Sequence, residues 1–179
     1  MGKRAKAMCA VWLSAMLLSS ESFSQTARLT DLEVATGSNL TTNPSPNGWI
    51  SQRPFGGGDY SSNNAREFDF GIVMLPPGTD SSKSVVAAFK LDGKYSAFYA
   101  AFGIDRESYC SKPAARVSFS VLGDDSKLLA DIDVQPSHSF VNREIDVSGV
   151  ATLTIRATTT SESAICADGI VGEPLVVSR

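Results

Sequence analysis

The 179 residues carry 16 Lys and Arg against 19 Asp and Glu, a net charge of −3, with 42% hydrophobic and 20% charged residues. That is one domain's worth of chain with enough apolar residues for a core. The mildly acidic balance offers no electrostatic footprint for nucleic acid or an anionic membrane, so neither is an expected partner.

The N-terminus reads as a targeting segment. Lys3, Arg4 and Lys6 form a basic start, and Ala7–Leu18 is an apolar run of about a dozen residues, too short to span a bilayer. Small residues at Ser22 and Ser24 place cleavage after Ser24, giving a leader over 1–24 and a single mature domain over 25–179. Removing the +2 of Lys3, Arg4, Lys6 and Glu21 from −3 leaves −5 on the mature chain. The expected location is secreted or periplasmic, without membrane insertion. Cys110 and Cys166 then remain, and an even count in an exported chain predicts a disulfide. Two free thiols or a metal pair are the alternatives. The single His138 and the lack of a C-x-x-C argue against zinc.

Leu29–Val34 reads as a first strand. Residues 35–64 are rich in Gly, Ser, Asn, Thr and Pro, which punctuate rather than build elements. Long loops of this kind are often binding loops. Glu67–Met74 returns to strand pattern and stops at Pro76-Pro77-Gly78. Val85–Lys90 and Ser96–Ile104 are strands joined at Asp92-Gly93, a hairpin signal because glycine accepts the positive φ of primed turns. Phe98, Ala100, Phe102 and Ile104 alternate onto one face, and Tyr99 on the other reads as sheet packing. Arg116–Leu122, then Leu128–Val134 with Leu128, Ala130, Ile132 and Val134 inward, continue the pattern. Phe140–Val147, Ala151–Thr160 and a short closing strand Leu175–Ser178 complete it. Short strands about ten residues apart with turn chemistry between them predict an all-β, jelly-roll β-sandwich of two antiparallel sheets.

Several phrases, in this order, resemble one family. They are Leu29-Thr30-Asp31-Leu32, the L-D-G-K-Y-x-x-F of Leu91–Phe98 with its G-I-D at Gly103–Asp105, Ala115–Leu129, Ile145–Leu153 and Val171–Leu175. The similarity, best over Val85–Val177, is to the NPCBM/NEW2 domain. That carbohydrate-binding module accompanies glycoside hydrolases such as family 98 and is related to carbohydrate-binding module family 51. The resemblance implies a galactose-binding-domain-like sandwich that binds a glycan through loops at one end, without catalysis. It also implies calcium where the chain ends meet, with Asp31 and Glu173 as candidate ligands. The family's G-I-G-x-H-A departs here to Gly71-Ile72-Val73-Met74-Leu75, which puts Leu75 in place of the His.

Sugar recognition needs an aromatic face for the ring's C–H side and polar groups for its hydroxyls. Trp49 is the leading aromatic, with packing over the core as its alternative role. Tyr60 beside Asp59 and Asn64 is next. No G-x-S-x-G, H-E-x-x-H or P-loop is present, and nothing pairs two carboxylates, so no enzyme is expected. The competing function is a cell-envelope protein-interaction or scaffolding domain that reuses the fold.

Overall fold

The computed structural model describes residues 24–43, 45, 47–57, 65–76, 84–105, 116–135, 140–159 and 168–178. These contain twelve strands. In chain order they are β1 (Thr26–Arg28), β2 (Gly48–Ser51), β3 (Phe55–Gly57), β4 (Arg66–Phe68), β5 (Gly71–Met74), β6 (Val85–Lys90), β7 (Ala97–Asp105), β8 (Val117–Leu122), β9 (Leu128–Val134), β10 (Val141–Asp146), β11 (Thr152–Thr159) and β12 (Asp168–Val177). A six-stranded sheet runs β10-β7-β12-β5-β2 with β1 added on β12. A four-stranded sheet runs β6-β11-β8-β9, and β3-β4 form a separate two-stranded hairpin. All strand pairings among these are antiparallel.

The expected jelly-roll sandwich is the fold. The core lies between the two sheets, where the alternating residues of β7 (Phe98, Ala100, Phe102, Ile104) meet those of β8 and β11, all of them buried. Phe102 and Phe119 join the layers with ring centroids 5.2 Å apart. Period-2 alternation decides this directly, because alternate residues of a strand share one face, and here that face meets the opposite sheet.

Five local expectations are corrected. Leu29–Val34 is not one strand: the chain leaves β1 on the larger sheet, makes a 3-10 turn over Leu29–Asp31, and crosses to the smaller sheet. There it lies along the edge of β6, with Lys90 N donating to Glu33 O and Ala35 N to Ala88 O at 2.9 and 2.8 Å. That covers an edge which would otherwise expose unpaired backbone groups. Glu67–Met74 is split at Asp69-Phe70 into β4 and β5, which belong to different sheets.

Asp92-Gly93 does form a turn, with φ of +52° and +67° and Lys94 N donating to Leu91 O at 3.0 Å. Yet β6 and β7 are not a hairpin, because they lie in opposite sheets. The turn's own groups bond elsewhere: Leu91 N and Asp92 N to Ala151 O, and Gly93 N to Val150 O. Turn chemistry reverses the chain, but β6 pairs with β11 while β7 pairs with β10 and β12.

The closing strand is the ten-residue β12, central in its sheet between β7 and β5. The expected strand begins only at Leu175; the structure carries the strand through Gly172-Glu173-Pro174 as a bulge, with the register shifting between Gly172 and Leu175. Proline is tolerated in a central strand at such a bulge, where no ladder donor is needed. A second register shift, between Val121 and Leu122, turns Leu128 outward to 57% exposure, whereas Ile132 and Val134 point inward as expected.

Candidate functional site

The outer face of the larger sheet is half covered. The β3-β4 hairpin folds over it as a flap and makes a second apolar cluster, in which Phe68, Val73, Ala101 and Ile170 are buried and Trp49, Phe55 and Phe140 pack around them. Phe68 meets Phe140 edge to face at 4.8 Å between centroids. Two strand glycines make room for these rings. A side chain at Gly103 would reach within 2.0 Å of Phe140, and one at Gly172 within 2.2 Å of Phe68.

Trp49 lies on edge strand β2, outward in register with Val73. It is half-buried, packs against the second cluster, and also lines a pocket of about 370 Å³ with Thr42, Asn43, Ser51, Gln52 and Arg53. So the tryptophan both packs and presents surface. Gln52 is fixed there: its Nε2 donates to Thr30 O at 2.6 Å and its Oε1 accepts from Thr30 Oγ1 at 3.3 Å. Ser51 Oγ donates to Arg53 O at 2.9 Å, which holds the turn leaving β2. An indole beside amide and guanidinium groups matches what a sugar ring needs.

The other residues expected at the sugar site, Asp59, Tyr60 and Asn64, belong to the connection between β3 and β4 and lie outside the described residues, as do Cys110 and Cys166. The strand ends show where four other connections begin and end, those holding Cys110 and Cys166 among them. Asp105 pairs with Asp168, Thr159 with Val117, Val117 with Val134, and Gly48 with Met74. Those positions are at one end of the sandwich, so the chain between β5 and β6, β7 and β8, β9 and β10, and β11 and β12 leaves from that end.

The expected calcium ligands Asp31 and Glu173 stand on the 3-10 turn after β1 and on β12. Asp31 is exposed at the end of the 3-10 turn. Glu173 sits in the bulge of β12 with φ of +47°, and its Oε2 accepts from Arg66 Nη2 at 3.1 Å. Ca²⁺ takes six to eight oxygens. Here a guanidinium already holds one of the two carboxylates, and among the described residues no three His, Cys, Asp or Glu side chains converge. The pair as placed does not fit the ion.

Sequence reasoning missed a second feature on the uncovered half of the same face. A trough of about 360 Å³ is lined by Tyr99, Asn142, Glu144 and Leu175, with Arg66 and Glu173 along the flap side. Tyr99 is 36% exposed, not packed away as expected of it. Its register partner is Glu144, and a hydrogen bond to that carboxylate, followed by desolvation and the nearby charge, raises the phenol above its ordinary 10.0. The available signal was the phase of Tyr99 against Phe98, together with Asn142 and Glu144 at the same phase of the neighbouring strand.

Residues 25–170 match the NPCBM/NEW2 domain. The chain belongs to the NPCBM/NEW2 family. Solved structures share its fold. CBM51-2 with the INT domains of Clostridium perfringens ZmpB, in complex with GlcNAc, is 16% identical, with a TM-score of 0.65 over 86% of this chain and 32% of that one. The CBM51 of Clostridium perfringens GH95, in complex with methyl-galactose, is 17% identical, with a TM-score of 0.59 over 85% of this chain and 99% of that one. The tandem CBM51 modules of a family 98 glycoside hydrolase from Streptococcus pneumoniae are 15% identical, with a TM-score of 0.64 over 86% and 47%. The chain thus spans about a third of the first of these. No curated protein matches it significantly. In this NPCBM/NEW2 domain, Leu75 is half-buried and bonded through its N–H to Asn47 O at 3.0 Å, and Val171 faces the core.

Proposed function

We propose that this NPCBM/NEW2 domain is an exported, non-catalytic module that binds a glycan at the end of the sandwich where the long connections leave, with Trp49 as its aromatic platform. The observation that carries the reading is the Trp49 pocket, where an indole stands beside Asn43, Gln52 and Arg53 in a chain of a carbohydrate-binding family. Two fold relatives hold GlcNAc and methyl-galactose, which makes those sugars the first probes. Asp59, Tyr60 and Asn64 complete the site from the flap connection in this reading. Cys110 and Cys166 form a disulfide that ties two of the connections. In support, Cys110 follows Asp105 by five residues and Cys166 precedes Asp168 by two, and Asp105 pairs with Asp168. Export rests on the leader pattern, and among the described residues no helix is long and apolar enough to cross a membrane.

The test is a glycan array followed by calorimetry. Selective binding, weakened about tenfold by Trp49→Ala and by Arg53→Ala, is the expected result; tenfold is 1.4 kcal/mol, the scale of one aromatic contact. Arg53 is exposed, so its variant separates lost binding from lost folding. Silence across the array with a folded sample sinks the reading. One observation favours the second reading, a cell-envelope protein-interaction domain: Leu75 stands where the family pattern has a histidine.

A further inference from the structure

The uncovered trough on the larger sheet has the makings of a binding site separate from the Trp49 pocket. Its floor is apolar and low: the Tyr99 ring and Leu175, with Ala101 and Gly172 at the margin where the flap begins, neither with a side chain larger than a methyl. Its walls are polar and held in place. Arg66 reaches from the flap to Glu173 at 3.1 Å and to Asn142 Oδ1 at 3.5 Å, and Tyr99 stands directly across the strand pair from Glu144. Each of these groups keeps capacity beyond the bond it makes. A carboxylate accepts about four hydrogen bonds and a guanidinium offers five N–H donors. Donors and acceptors therefore alternate around an exposed aromatic face. The trough also continues: Tyr99 and Glu144 line a second depression with Ser96, Asp146 and Ser178.

The position of Glu173 is unusual. It is a non-glycine residue at φ of +47°, inside a bulge of a central strand. Left-handed backbone is disfavoured for a residue with a side chain, and bulges serve to re-aim side chains. Here the bulge brings the Glu173 carboxylate to Arg66 at the rim of the trough, which a regular strand would not do.

We propose that this trough is a second saccharide subsite, seating a neutral sugar unit with its C–H face on Tyr99 and Leu175 and its hydroxyls on Asn142, Glu144, Arg66 and Glu173. Glu144, Glu173 and Asp146 repel an acidic sugar. The two cations along the trough, Arg66 and Arg143, are outnumbered by these three carboxylates, and Arg66 is already paired with Glu173. The proposal extends the glycan-binding reading, yet it concerns a different part of the sheet and fails separately from it.

The experiment is amide NMR on the labelled full chain, titrated with methyl-galactoside, N-acetylglucosamine and lactose, with and without Tyr99→Ala and Asn142→Ala. The expected result is saturable shifts at Tyr99, Asn142, Glu144 and Leu175. Either variant should weaken them about tenfold, leaving any shifts around Trp49 and Arg53 unchanged. Both substituted side chains are exposed, and Tyr99→Phe, which keeps the ring, should retain most of the binding. Shifts confined to Trp49 and Arg53 overturn the second subsite and leave the first reading standing. Shifts confined to the trough do the reverse. Trough shifts that persist undiminished in Tyr99→Ala, or no shifts with any probe, also overturn the proposal.

Discussion

Gly172 is where packing of the flap can be tested most directly. A methyl at this position would lie 2.2, 2.3 and 2.6 Å from three carbons of the Phe68 ring, whereas carbon atoms rest about 3.5–4.0 Å apart. Phe68 cannot tilt away easily, because it is 1% exposed and flanked by Phe55 and Phe140 with centroids at 5.6 and 4.8 Å. Nor is left-handed backbone involved at Gly172, so the cost of Gly172→Ala is steric. Overpacking of this kind costs about 1–3 kcal/mol. Taking about 2 kcal/mol, a chain of this size should melt roughly 4–8 °C lower. Thermal unfolding followed by circular dichroism reads that shift. The mechanism itself is read by a double-mutant cycle with Phe68→Leu. The smaller side chain should relieve the clash, so the two substitutions together should cost less than their sum by about 0.5–3 kcal/mol. A neutral Gly172→Ala, or costs that simply add, would show that Phe68 does not occupy the space over Gly172 and that the flap sits elsewhere.

Gly93→Ala should cost about 1 kcal/mol in urea unfolding at constant m-value, since its Cβ would meet nothing nearer than 3.9 Å and only the φ of +67° resists it. Reducing the expected Cys110–Cys166 disulfide, which would close 56 residues of sequence, should lower stability by about 4 kcal/mol; intact mass before and after alkylation, without reductant, decides whether the bond exists. Tyr99 should ionise above an ordinary tyrosine in an absorbance titration, and Glu144→Gln should bring it back down. Because its folded pKa is the higher one, the stabilisation it brings is complete below the unfolded value of 10.0 and is lost as pH rises through the folded value. Calcium added to the full chain should leave its melting temperature unmoved; a rise that Glu173→Gln removes would make Glu173 a metal ligand after all.

The sandwich was readable because alternation over Phe98–Ile104, Val117–Val121 and Leu153–Ala157 has a single structural meaning once a core must form. Pairing was less readable. Asp92-Gly93 carries correct turn chemistry, but local sequence does not say which sheet the next strand joins. Leu29–Val34 and β12 misled for complementary reasons. The first has apolar residues without a strand, because both Leu29 and its neighbour Thr30 are buried where the chain changes sheets. The second is a strand despite Gly172 and Pro174, because a bulge absorbs them. Trp49 could be singled out from its loop-like surroundings alone. The Tyr99 trough could not, since Tyr99, Asn142, Glu173 and Arg66 come from four segments that only the sheet order brings side by side.

That sheet order also explains why one face carries two different surfaces. Along its upper rows the outward residues of β7, β12 and β5 are Gly103, Ala101, Ile170, Gly172 and Val73, small or apolar, and the flap covers them. One row further, past the bulge, the same strands present Tyr99 and Leu175, and β10 presents Glu144. The flap stops there, anchored by Arg66 on Glu173. The bulge therefore does two things with one inserted residue. It restores register for Val176 to reach the core, and it supplies the carboxylate that fixes the flap's edge. Arg66→Ala should accordingly loosen the flap margin while leaving the sandwich core intact. Amide hydrogen exchange should rise at β3 and β4 and stay unchanged at β8 and β11. Equal protection in both hairpin strands of the variant would show that Phe68 alone holds the flap and that the ion pair serves only the trough.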